Sequence, residues 1–180
     1  MGVAAQMGAV AAGALLLTLS TGLVSAPPLV RTAELSLGIL LVYLNTHAIG
    51  HWAIGRAVGI SFSGFGLRGT DHPEAYPFGL RQLMLAMPMW VAITVPTSRR
   101  QASRWSLAAM YIAGETSTTL CTVAAAVAAN LGNSPGGRTA LLVVVVWNLL
   151  ASAAVSVQPK GDYARAWRAL RGSMLAERRT

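Results

Sequence analysis

Hydrophobic residues along this chain are gathered into long blocks rather than spaced at the intervals of a surface helix. Four blocks, at residues 3–24, 35–57, 105–131 and 139–157, reach the length of about 20 residues that a helix needs to cross a bilayer. Turn-forming and polar stretches separate them. The pattern predicts an all-α integral membrane protein with about four transmembrane helices, folded as one membrane domain over residues 1–180.

The first block has two interpretations. The small residues of "LVSA" before Pro27 are typical of a signal-peptide cleavage site, which would make residues 1–26 a cleaved leader. No Lys or Arg precedes the block, so the positively charged start of a signal peptide is missing. We therefore favour a retained helix.

The long connection after the second block is rich in Gly and Pro, which predicts a loop. Within it, "GISFSGF" alternates apolar and small or polar residues and is a candidate for a short strand. "LMLAMPMWVAITV", at residues 83–95, is apolar but has only 13 residues and contains Pro88. It is too short to cross the bilayer, so we expect an interfacial or re-entrant segment.

The end of the chain forms a basic tail, at residues 160–180, that follows the fourth block. From Asp162 onwards, apolar residues recur at helical spacing among arginines, namely Tyr163, Trp167, Leu170 and Met174. This pattern predicts an amphipathic C-terminal helix on an anionic membrane surface, with a solvated basic tail as the alternative.

The composition agrees with a membrane protein, since 54% of residues are hydrophobic and 11% are charged. The single cysteine excludes an internal disulfide and any site built on paired cysteines. Of the 14 Lys and Arg residues, only Arg31 and Arg138 lie on one side of the predicted bundle, while the others fall in the long connection and the tail. By the positive-inside rule both termini are cytoplasmic, in a plasma or inner membrane, and the formal charge of +8 requires no nucleic-acid partner.

Three ionisable residues lie inside the predicted spans, and such residues are functional candidates by default: His47, His51 and Glu115. The two imidazoles are four residues apart, so they project from one helical face and can converge on one metal ion. A zinc site needs a third protein ligand. Asp162 follows the fourth block at the same membrane face and is the first candidate if the chain unwinds around Pro159, with Asp71 and His72 as weaker alternatives.

Glu115 should lie about 15 Å from the cytoplasmic end of its span, a depth comparable to that of His47. Three roles at a metal site are open to it: a substitute general base, a fourth ligand, or a partner that holds an imidazole in one tautomer. Alternatively, Glu115 is a protonated acid bonded to Ser117, Thr118 or a neighbouring backbone, and the histidines only tie helices together.

The segment "HAIGHWAIGRAVGI" resembles the His-Glu-x-x-His signature of the site-2 protease family of intramembrane zinc metalloproteases. Further along, "RRQASRWSLAAMYIAGETSTTL" is similar to the basic stretch and Ala-Gly-Pro helix of that family. "VQPKGDYARAWRAL" is similar to its C-terminal Pro-x-x-x-Asp-Gly segment. Together these matches cover most of residues 35–171 in the family's order.

The resemblance implies a site and a reaction. It makes His47 and His51 zinc ligands, with Asp162 as the third. It makes the "GISFSGF" strand a site for pairing with an extended substrate segment. The implied partners are the lipid bilayer and a transmembrane or extended peptide, and the implied reaction is hydrolysis of a peptide bond in or near a membrane span.

Four positions depart from the family pattern. Ala48 replaces the glutamate that acts as general base, and loss of such a base costs a factor of about 10² to 10⁴ in rate. Tyr163 replaces a glycine, Glu115 replaces a proline, and Asn148 is too far from Pro159 for the family's Asn-x-x-Pro. We therefore expect a metal-binding, site-2-protease-like membrane protein that is non-proteolytic or weakly active. The alternatives are an active protease with Glu115 as substitute base, and a metal-free structural membrane protein.

Overall fold

The computed structural model describes residues 2–23, 25–68, 79, 81–82, 85, 89–157 and 161–172. In this part of the chain the protein is mostly helical. The helices are α1 (Gly2–Thr18), continued by a π-helical turn (Leu19–Leu23), α2 (Pro28–Ala57), α3 (Pro96–Gln101), α4 (Arg104–Leu131), α5 (Gly137–Val157) and α6 (Asp162–Leu170). Two strands complete the fold, β1 (Phe62–Arg68) and β2 (Met89–Thr94).

Within the described residues, three helical stretches are long and apolar enough to span a membrane, Gly2–Thr21, Pro28–Ala57 and Arg104–Leu131. A shorter apolar helix covers Gly137–Ala153. The prediction of helices long and apolar enough to span a membrane is therefore confirmed for three of the four blocks. The helix α2 begins seven residues earlier than the hydrophobic pattern predicts, because Pro28 suits the first turn of a helix, where a missing N–H costs nothing.

The all-α prediction is wrong in one respect, because β1 and β2 form a two-stranded antiparallel sheet. The alternating pattern predicted the first strand. The second, Met89–Thr94, lies inside the segment at 83–95 that we expected to be interfacial or re-entrant, and its strand structure was not predicted. A short apolar run fits either interpretation by length, and the β-branched residues of "WVAIT" favour the strand.

The first two helices pack closely through glycines. A Cβ atom added at Gly13 would lie 2.9 Å from the main-chain oxygen of Gly38, and one added at Gly38 would lie as close to that of Gly13. Small residues of this kind allow backbones to approach in membrane helix pairs. The helix α1 is therefore packed along α2 as part of the fold.

The helix α4 is the centre of the fold, because α2, α5 and α6 all pack against it. On the α5 side the contact is polar. The buried Asn148 amide donates to Thr122 Oγ1 at 3.2 Å and accepts from Thr119 Oγ1 at 3.1 Å. These hydrogen bonds satisfy polar atoms inside the bundle and fix α5 against α4.

The predicted C-terminal helix is confirmed as α6, and small residues form the face that it buries in the protein. Ala166 and Ala169 are both 2% exposed and pack in a core cluster with Leu107 and Tyr111 of α4. Trp167, which the spacing assigned to the apolar face, is 56% exposed. Small side chains allow α6 to lie close to α4, and this contact positions Asp162 at the start of α6.

Candidate metal centre

The two histidines of α2 and the aspartate of α6 meet at one point. The Nε2 atoms of His47 and His51 are 3.2 Å apart, and Asp162 Oδ2 lies 3.1 Å from each of them. The predicted convergence of His47, His51 and Asp162 is confirmed. The chain between the histidines and the aspartate is long, so this meeting depends on the packing of α6 against α4.

These separations fit a metal ion. Zinc bonds to histidine nitrogen and carboxylate oxygen are about 2.0–2.2 Å long, and a tetrahedral arrangement places such ligand atoms roughly 3.3 Å apart. The observed edges of 3.1, 3.1 and 3.2 Å are close to that value. The group could therefore hold a metal ion through three protein atoms.

The tautomer of His51 adds a chemical argument. Its Nδ1 lies 2.7 Å from the main-chain oxygen of Met110. A carbonyl oxygen only accepts hydrogen bonds, so Nδ1 carries the proton and Nε2 of the neutral ring presents a lone pair. That lone pair faces a carboxylate oxygen of Asp162, which also only accepts. Acceptors at this distance require a cation between them, either a proton or a metal ion.

Asp162 is held as an anion. With a proton as that cation, burial works to raise the pKa of the Asp162 carboxyl, but hydrogen bonds and charge from His47 and His51 outweigh burial and hold that pKa well below its ordinary value. Its second oxygen, Oδ1, lies 4.0 Å from Nη1 of Arg165, one turn further along α6. The position in the first helical turn also favours a negative charge. The carboxylate is thus charged and oriented, as a metal ligand must be.

Glycines allow α2 and α4 to approach closely at this centre. A Cβ atom added at Gly114 would overlap the His51 ring, and one added at Gly50 would lie 2.6 Å from the main-chain oxygen of Ala113. Ser117 Oγ of α4 also lies 3.0 Å from the main-chain oxygen of Thr46. The backbone contact between the two helices therefore leaves room for the His51 ring and limits its movement.

Glu115 lies beside the centre, next to His47. Its Oε2 atom is 3.9 Å from Nδ1 of His47, and its Oε1 accepts a hydrogen bond of 3.4 Å from Ser152 Oγ of α5. The side chain is only 12% exposed. The carboxyl group therefore contacts the ring nitrogen of His47 that is turned away from Asp162.

Ala48, at the position where the site-2 protease signature has a glutamate, offers no acid–base group. Ala48 is 0% exposed, so the methyl group is enclosed by the fold. Of the three ligand side chains, His47 is the most exposed, at 26%. The alternatives Asp71 and His72, and the predicted unwinding at Pro159, lie outside the described residues.

Sequence reasoning missed four contributors to this centre: Met110, Gly114, Ser152 and Arg165. Met110 acts through its main chain, so its side chain carries no signal. Gly114 did give a signal, because a glycine inside a helix often marks a close approach. The remaining two depend on how α5 and α6 pack on α4, which residue spacing does not determine.

No protein-family model, no curated protein and no solved structure matches this chain. The resemblance to site-2 proteases therefore depends on the motif residues themselves and stays a prediction.

Proposed function

We propose that this protein is an integral membrane protein related to site-2 proteases, which binds zinc through His47, His51 and Asp162 and does not cleave peptides at an enzyme's rate. The carrying observation is the triangle of ligand atoms with edges of 3.1 to 3.2 Å, next to a buried alanine where a general base would be required. In this proposal four helices span the membrane, and both termini are cytoplasmic.

The chemistry supports binding better than catalysis. When bound, zinc polarises carbonyl groups and acidifies water. Rapid hydrolysis also needs a proton acceptor within about 2.6–3.2 Å of the attacking water. The methyl group of Ala48 cannot accept a proton, so a peptide segment that reaches the centre is bound rather than cut. The proposed role is the capture or regulation of a transmembrane or extended peptide.

A second candidate function is slow proteolysis with Glu115 as the base. Its support is proximity: Oε2 of Glu115 lies 3.9 Å from Nδ1 of His47, and the side chain would have to turn toward the ligand atoms to act on a water there. The two functions differ in the result of one assay, in which detergent-purified protein loaded with zinc is incubated with a model transmembrane substrate.

We expect bound zinc and no zinc-dependent cleavage. Cleavage by the wild type that is lost in Glu115→Gln would establish the second function instead. A wild type that binds no zinc would support the alternative of a metal-free structural protein.

A further inference from the structure

The position of Glu115 distinguishes among the roles open to it. A general base or a fourth ligand must reach the side of the imidazoles where Asp162 lies. The Oε2 atom of Glu115 instead lies closest to Nδ1 of His47, while Nε2 of the same ring points to Asp162 at 3.1 Å. The carboxyl group therefore faces Nδ1 of the His47 ring rather than the Nε2 atom of the ligand triangle.

The two imidazoles are supported differently. His51 donates from Nδ1 to the main-chain oxygen of Met110 at 2.7 Å. His47 has no such carbonyl partner in the described part of the chain, and the group that faces its Nδ1 is Glu115. Histidine ligands of metals usually donate their second N–H to a carbonyl or carboxylate oxygen, which fixes the tautomer and the ring orientation.

The distance of 3.9 Å is longer than a hydrogen bond by about 0.7 Å. A rotation of the Glu115 carboxyl group covers such a gap while the His47 ring stays in its ligand position. Ser152 determines which carboxylate oxygen faces His47, because its hydroxyl group donates to Oε1 of Glu115 at 3.4 Å and leaves Oε2 for the imidazole. The arrangement runs from α5 through α4 to the metal ligand on α2.

We infer that Glu115 is a positioning residue, which accepts the Nδ1–H of His47 and so presents Nε2 of that ring to the metal. This inference rests on the proposed metal site. It also accounts for a carboxyl group in the middle of a span, where an acidic side chain is costly and calls for a partner.

The test measures zinc affinity by competition with a chromophoric chelator, using the full chain in detergent. We expect Glu115→Leu to weaken zinc binding by about 10 to 100-fold, the usual effect of removing such a partner. Glu115→Gln should lose less, because its amide oxygen still accepts from Nδ1–H. The matched control is Glu34→Gln, the same change in α2 but 13 residues from His47, about 20 Å along the helix.

A second readout separates positioning from general damage to the fold. The nitrogen chemical shifts of ¹⁵N-labelled histidine report which ring nitrogen carries the proton. Without metal, we expect Nδ1 of His47 to carry a proton in the wild type, where it faces Glu115, and the form protonated only on Nε2, which faces Asp162, to appear in Glu115→Leu.

Three results would overturn the inference. Wild-type zinc affinity and an unchanged tautomer in Glu115→Leu would show that Glu115 does not position His47. Loss of binding in Glu115→Gln as complete as in His47→Ala would make Glu115 a ligand instead. A wild type that does not bind zinc would disprove the proposed metal site itself. This failure is seen in the wild-type measurement alone, so it is distinguished from a failure of the inference about Glu115.

Discussion

Replacing Gly114 by alanine should abolish metal binding, although Gly114 is not a ligand. The added methyl carbon would lie 2.5 Å from Cε1 and 2.7 Å from Cδ2 of His51, and closer still to Nε2. Ordinary contacts begin at 3.4 Å, so the ring must move by more than 0.9 Å, several times the roughly 0.2 Å that metal–ligand distances tolerate.

The expected loss of zinc affinity follows from the displacement of the His51 ring. His51 supplies one of three protein ligand atoms, and disturbing an outer partner of a ligand already costs about 10 to 100-fold in affinity. We therefore expect at least a 100-fold loss of zinc affinity in Gly114→Ala, measured by chelator competition in detergent. Separation of α2 from α4 would relieve the overlap, but it would also carry the His51 ring away from Asp162.

The matched control is Gly8→Ala in α1, where an added Cβ atom has no neighbour within 4 Å. It should bind zinc as the wild type does. The reasoning would be refuted if Gly114→Ala bound zinc with wild-type affinity while circular dichroism showed that both variants have the helix content of the wild type.

Three further results are expected. Ala48→Glu introduces the glutamate of the site-2 protease signature at a residue that is 0% exposed. It should lower the melting temperature and should not produce cleavage of a model transmembrane substrate, and new zinc-dependent cleavage would contradict this. Zinc affinity should fall as pH drops from 7.5 to 5.5, because protons compete with zinc for the imidazole nitrogens. The depressed pKa of Asp162 keeps its carboxylate charged over this range. An affinity that does not change with pH in the chelator titration would argue against imidazole ligands. Gly13→Leu should lower the free energy of unfolding by about 1–3 kcal/mol relative to Gly8→Leu, because Gly13 packs against the backbone of α2, whereas equal melting curves would argue against that contact.

Much of the fold could be predicted because long apolar blocks follow simple rules. Long apolar blocks must be helical to satisfy their backbone, and these blocks correspond to α1, α2, α4 and α5. The strand β2 was missed because its partner is remote in sequence, so pairing rather than local pattern decides its structure. The buried face of α6 was not predicted, because small residues, which a hydrophobicity pattern undervalues, form its contact with α4.

The site was predictable to the extent that helix periodicity governs it. Spacing alone placed His47 and His51 on one face, and helical rise placed Glu115 at their depth. Asp162 was a candidate from chain order. Which nitrogen of His47 faces Glu115, and that Met110 fixes the tautomer of His51, depend on side-chain geometry that no periodic pattern contains.

The most direct test of the central claim is the metal content of the detergent-purified protein, measured by inductively coupled plasma mass spectrometry. Three forms are compared after equal exposure to zinc: the wild type, the double variant His47→Ala with His51→Ala, and His72→Ala as a control at the remaining histidine. We predict about one zinc ion per chain in the wild type and in His72→Ala, and none in the double variant. Equal and negligible zinc in all three would contradict the account.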